Sequence, residues 1–222
     1  AFKEVRKTRL SANIRMGVFV LIFLAISVPN MFKSYFDSTD KYGIPKKDDY
    51  ASLIRLTGPI KATGANSWFQ LKPALEKAFL DERAKVVVLS INSPGGSPVQ
   101  SSNMYKQLHR LKNEHKKPLL IFGEDQMASG GYMIAAAGDY IYVNEATVGG
   151  SIGVISQQWG YKELADRLGV EQRTFTAGQY KNRLSSFKSV SIDDAEKITQ
   201  ELKVIHEYFK SVVERSRYAA KW

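Results

Sequence analysis

From Ser52 onward, short apolar runs alternate with amphipathic ones, and this alternation restricts the fold more than any other feature of the chain. The runs "SLIRLTG" (52–58), "KVVVLSI" (85–91), "PLLIFG" (118–123), "YIYV" (140–143) and "QRTFTA" (172–177) are short and rich in β-branched or aromatic residues. They read as strands. Between them, Trp68, Leu71, Leu75, Ala78 and Phe79 recur at helical spacing, as do Val99, Met104, Leu108 and Leu111. Further helices are expected from about Ser129 to Ala137 and from Tyr161 to Leu168. Strands alternating with helices call for an α/β fold with a parallel sheet, because each crossover helix must cover the sheet it leaves. The last segment, Asp193 to about Tyr218, places Ala195, Ile198, Leu202, Ile205, Phe209 and Val212 on one helical face, with Asp193 and Asp194 where the helix dipole favours acids.

A chain of 222 residues with 44% apolar and 24% charged content supports one compact domain. The absence of cysteine excludes disulfides, thiolate chemistry and cysteine-ligated metal. Much of the +10 net charge lies in residues 1–15, where Lys3, Arg6, Lys7, Arg9 and Arg15 face only Glu4. The remainder lacks a basic stripe interleaved with aromatics, which argues against a nucleic-acid partner.

Residues 16–32, "MGVFVLIFLAISVPNMF", carry no charge. As a helix they would reach about 25 Å, enough for a single membrane span with help from interfacial residues. Pro29, Asn30, Met31 and Phe32 replace the small-residue cleavage site of a secretory signal, so an uncleaved anchor in the lipid bilayer is expected. Its basic flank would stay cytoplasmic. Residues 33–50 then form a polar stalk broken by Gly43 and Pro45, and 51–222 form the folded domain outside the cytoplasm.

Sites in parallel sheets lie beyond the carboxyl ends of strands. The loop after 85–91 reads Asn92-Ser93-Pro94-Gly95-Gly96, whose adjacent glycines expose backbone N–H groups. Such a loop serves either as a tight turn before a helix opened by Pro98 or as an oxyanion hole. The loop after 118–123 holds Ser129 between Ala128, Gly130 and Gly131. Ser129 suits a helix N-cap, and equally a nucleophile that needs bare backbone around it.

A serine nucleophile requires a base. His109, His115 and His206 all fall within helices and read as surface or interface residues. Lysine is the alternative, and Lys181 follows a strand-like run beside Gly178. A free lysine titrates near 10.4, so acting as a base near neutrality demands a shift of about 3 units, roughly 4 kcal/mol. Spacing alone does not select Lys181 among 32 basic residues.

The segments "INSPGGS" (91–97), "ASGGYMIAAAGDYIYV" (128–143), "VGGSIGVI" (148–155) and "TAGQYKNRL" (176–184) resemble, in order, those of the signal peptide peptidase A family, most closely its SohB-type members. The similarity runs from about residue 50 to 215. It implies a crotonase/Clp-protease-like βαβ superhelix and a serine–lysine peptidase of the inner (cytoplasmic) membrane, single-pass, without metal or other cofactor. Carried over by motif, Ser129 is the nucleophile and Lys181 the general base. Gly96, with Gly95 beside it, forms the oxyanion hole, and Ser151 orients the lysine amine. Gly130 and Gly131 leave room for an extended peptide substrate. The resemblance also implies ring-like homo-oligomers in which one protomer's lysine can serve another's serine. SohB-type proteins usually carry a longer region between the span and the first strand, and many relatives continue past the final helix.

Two rivals share the fold. A crotonase-type hydratase would want acidic residues at the site, where Glu124 and Asp125 are nearest, but "ASGGY" argues against it. A Clp-type protease needs a histidine about 25 residues beyond its serine, where this chain reads "GGSIGVIS". A membrane-tethered scaffold without activity is the alternative outside enzymes.

Overall fold

The computed structural model describes residues 23–30, 33 and 48–218. The chain divides into two units, Ala1–Asp49 and Tyr50–Trp222. In the first, residues 23–30 are helical and mostly exposed. The rest of the expected span at 16–32 and nearly all of the stalk lie outside the described residues. Among the described residues, no helix is long and apolar enough to cross a membrane.

In the second unit, β1 (Tyr50–Thr57), α1 (Trp68–Leu80), β2 (Ala84–Ser93), α2 (Pro98–His115), β3 (Leu119–Ala128), α3 (Gly130–Ala135) and β4 (Tyr140–Val143) follow one another as strand–helix–strand units. The short β5 (Val148–Gly150), α4 (Lys162–Leu168) and the long α5 (Ile192–Tyr218) complete it. Every strand pairing is parallel, in the order β1-β2-β3-β4. β5 joins β3 beyond β4, pairing Gln126 with Val148 and Ala128 with Gly150. Two strands thus share one edge of β3, and the second reaches its carboxyl end.

The core lies on one face of the sheet. Ile54, Leu56, Val87, Leu89, Ile91, Leu119 and Ile121 pack beneath Leu75, Phe79, Met104, Leu108 and Leu111 of α1 and α2. Phe209 and Val212 bring α5 into the same cluster. On the opposite face Leu53, Phe122, Tyr140 and Tyr142 are exposed, with Phe122 stacked on Tyr142 at 4.9 Å between ring centroids.

Three features depart from the sequence reading. First, β3 continues past Gly123 through the polar stretch Glu124–Gln126. Partners from β2 hold it there: Asn92 Nδ2 donates to Asp125 (3.1 Å), Asn92 Oδ1 accepts from the Gln126 N–H (3.2 Å), and Ser90 bonds Glu124. The register slips between Ile91 and Ser93, so these polar residues ride on a bulge and the strand still delivers Ala128 to the site.

Second, residues 172–177 form no strand, and Phe175 is 93% exposed. β-rich composition yields a strand only where another backbone supplies hydrogen bonds, and no described strand pairs with this segment. Third, Val99 is exposed and the apolar stripe of α5 is buried only at Phe209 and Val212, since Ile198, Leu202 and Ile205 are half-covered.

α5 begins at a reciprocal cap. Ser191 Oγ accepts from the Asp194 N–H (3.1 Å) and donates to the Asp194 carboxylate (2.8 Å), which also meets Lys188 Nζ at 2.8 Å. The Lys188 ammonium, then the Ser191 hydroxyl, holds the Asp194 carboxyl below its usual value. A depressed carboxylate stabilises the fold fully above the unfolded pKa of about 3.9, and that contribution is lost as pH falls through the lower folded value. Thermal unfolding should therefore show wild type above Asp194→Asn at neutral pH, with the gap narrowing as pH drops below about 4. A gap that stayed constant with pH would contradict this coupling.

Candidate active site

Ser129 stands where β3 hands over to α3, with φ 50° and ψ −122°. This conformation is costly for a residue with a Cβ, of order 1–3 kcal/mol, and persists only where neighbours impose it. One such neighbour is Gly150, whose carbonyl accepts the Ser129 N–H at 2.8 Å. Another is the first turn of α3, since the Met133 N–H donates to the Ser129 carbonyl at 3.0 Å. Although Ser129 occupies the N-cap position, its side chain makes no capping hydrogen bond. The hydroxyl is therefore not engaged in capping, and its residue is only half-buried. A strained strand-to-helix turn that presents a serine hydroxyl is the geometry by which nucleophiles are exposed in other α/β enzymes.

Gly95 and Gly96 lie directly against this turn. An ideal Cβ on Gly95, whose φ is +98°, would come within 2.7 Å of both Ser129 Cβ and Gly130 N. Gly96 is tied to Ile60 by a parallel bridge. The Ile60 N–H donates to the Gly95 carbonyl (2.8 Å) and the Ser97 N–H donates to the Ile60 carbonyl (2.9 Å). Consecutive N–H groups of extended backbone point to opposite sides, so the Gly96 N–H faces away from Ile60. Among the described residues nothing accepts from it. It faces the α3 side, where a Cβ built on Gly130 would lie 3.4 Å from Gly96 N. An unpaired N–H in the loop packed against the Ser129 turn is the kind of donor an oxyanion hole requires.

Gly130 and Gly131 are both buried. The space a side chain would need at Gly130 is occupied by Ser101 of α2, and at Gly131 by the Ser93 carbonyl at 3.1 Å. Their smallness thus also seats α3 against β2 and α2. Ser93, Ser101 and Ile60 belong to this scaffold, and of these Ser101 and Ile60 carry no signal in periodicity or motif; Ser93 Oγ accepts the Gly95 N–H at 3.1 Å.

Ser151 follows Gly150 at φ 53° and is exposed. Because Ala128 pairs with Gly150 in parallel register, Ser129 and Ser151 are the next residues on adjacent strands. The structure therefore brings Ser129, Gly95, Gly96, Gly130, Gly131 and Ser151 together. Lys181 is not joined to them: no hydrogen bond links it to Ser129, and it is exposed in a turn closed by its own N–H on the Gly178 carbonyl (3.2 Å). That turn is anchored on both sides. Tyr180 Oη donates to Asp193 (3.4 Å), and Arg183 is ion-paired with Glu201 of α5.

The model of peptidase family S49 matches residues 111–221, half of the chain and all of the segment from mid-α2 onward. The chain belongs to peptidase family S49. The chain is 27% identical over 233 aligned positions to a putative signal peptide peptidase SppA of Enterococcus faecium, covering 94% of the chain and 67% of that protein. It is 34% identical over 131 residues to a probable protease SohB of Buchnera aphidicola, covering 59% of the chain and 38% of that protein. A protein of Brucella melitensis named Na(+)/H(+) antiporter NhaA is 42% identical over 170 residues, 74% of the chain. The aligned part is 23% of that protein, so the chain spans under a quarter of it and the name describes a much longer molecule. The family match and the SppA- and SohB-named relatives support a serine peptidase.

Replacing Ser129 by glycine relieves the backbone strain at the cost of a more flexible unfolded chain, a net gain of about 1 kcal/mol over Ser129→Ala. Urea denaturation of the two variants should show Ser129→Gly with the higher midpoint. Equal midpoints, or a lower one for glycine, would remove the strain at this turn from the account.

Proposed function

We propose that this S49 peptidase hydrolyses extended peptides, such as signal-peptide remnants, with Ser129 as nucleophile and Lys181 as general base. The observation that carries the reading is the strained, uncapped Ser129 packed against the Gly95–Gly96 loop, whose Gly96 N–H is unengaged. In acylation the neutral Lys181 amine takes the Ser129 proton as Oγ attacks the peptide carbonyl carbon. Gly96 N–H receives the developing oxyanion, and the lysine ammonium then protonates the departing amine nitrogen. Water, deprotonated by the same amine, releases the acid product and restores Ser129. Ser151, beside Ser129, orients the amine.

Lys181 is exposed within one chain, and this favours assembly of the dyad across a contact between two copies. A second copy would also cover the exposed Phe175 and supply the desolvation that keeps an amine neutral. The reading includes a homo-oligomer, an anchor through residues 16–32, and a catalytic domain on the extracytoplasmic side. The successive strand–helix–strand units agree with a crotonase- or Clp-like superhelix, and the peptide class of the substrate follows from the family alone.

Purified protein is expected to cleave casein, and Ser129→Ala or Lys181→Ala each to lose at least about a thousandfold in turnover, because the pair acts as a unit. Co-expressing the two inactive variants should restore part of the activity if the dyad forms between copies. Full activity in either single variant would end the dyad mechanism.

A further inference from the structure

The peptidase reading leaves His206 without a role, yet its ring reaches into the site's support. His206 Nε2 lies 3.1 Å from the Ile152 carbonyl oxygen. A carbonyl can only accept, so the proton sits on Nε2 and the imidazole donates. Ile152 is one residue beyond Ser151 and two beyond Gly150, whose carbonyl holds the Ser129 N–H in its strained position. Among the described residues, this bond is where residues 152–157, which have no regular secondary structure, are hydrogen-bonded to the rest of the chain. The next anchors come later, from Gln158 to the Leu184 carbonyl and from the Tyr161 N–H to the Ser186 carbonyl.

The helix that carries His206 is itself firmly seated. Phe209 and Val212 are buried in the core, and α5 contacts α3. Tyr208 Oη and Ser102 Oγ lie 2.7 Å apart, and Tyr105 Oη and Ser216 Oγ 3.0 Å apart, fixing α5 to α2. α2 in turn begins at Ser97, directly after the Gly95–Gly96 loop, and its Ser101 fills the space under Gly130. α5 therefore braces both halves of the site: the oxyanion loop through α2, and the Gly150–Ser151 strand end through His206.

We infer that His206 is a positioning residue for the peptidase reaction, holding the Gly150–Ile152 segment so that Gly150 fixes Ser129 and Ser151 stands beside it. The inference rests on the serine-peptidase reading above. Glutamine places an N–H donor at a similar reach from the backbone, whereas alanine does not.

The test is steady-state hydrolysis of an internally quenched extended peptide by full-length wild type, His206→Ala, His206→Gln and Ser129→Ala, with thermal midpoints measured alongside. His206→Ala is expected to lower kcat on the order of 10- to 100-fold, the penalty of a nucleophile displaced by a fraction of an ångström, with KM within about twofold of wild type. His206→Gln should recover most of the loss. Wild-type kcat in His206→Ala would overturn the inference. So would a loss in both variants that follows a lowered thermal midpoint, since that marks a merely structural residue. Wild-type turnover in Ser129→Ala would instead overturn the peptidase reading, whatever the His206 variants do.

Discussion

The hydrogen bond from the Ser129 N–H to the Gly150 carbonyl is the interaction on which the site depends. Without it, a serine between a strand and a helix would relax into ordinary cap geometry and place its hydroxyl on the α3 backbone. With it, the chain turns at positive φ and the hydroxyl is left free of the cap. Making that bond requires β5 to lie at the carboxyl end of β3, and this in turn requires β3 to run through its polar bulge as far as Ala128. The Asn92 contacts to Asp125 and Gln126 thus matter to the site although neither residue hydrogen-bonds the serine hydroxyl.

Glycine supplies the second constraint. Gly95 and Gly96 sit where any Cβ would strike Ser129, Gly130 or the Ile60 backbone, so the two loops approach each other more closely than side chains permit. Ile60 bonds the Gly95 carbonyl and the Ser97 N–H, which turns the intervening Gly96 N–H away from Ile60. An electrostatic donor fixed before substrate arrives costs no reorganisation during reaction. The site is thus built largely from backbone, and few charged groups stand close to it.

The βαβ alternation was legible in the sequence because its periodicities differ sharply between strand and helix, and β2, α1, α2 and α5 lie where periodicity places them. Ser129, Gly96 and Ser151 were legible through motif resemblance, and the structure sets them side by side. Other parts were not. β5 is three residues long and rich in glycine, too short for any pattern. The extension of β3 through Glu124 and Asp125 depends on partners in β2 that no local rule reveals. The strand expected at 172–177 fails for the converse reason: its composition is suitable, but the pairing backbone is not among the described strands.

Membership in peptidase family S49 is established by sequence, while Ser129 as nucleophile is the proposal that most needs a direct test. The most direct measurement is covalent labelling of the intact protein with a fluorophosphonate, followed by peptide mapping. The account predicts a single adduct on Ser129 and none on Ser151, since Ser129 holds the strained strand-to-helix turn against the Gly95–Gly96 loop. Labelling at another serine, or none in active protein, would contradict it.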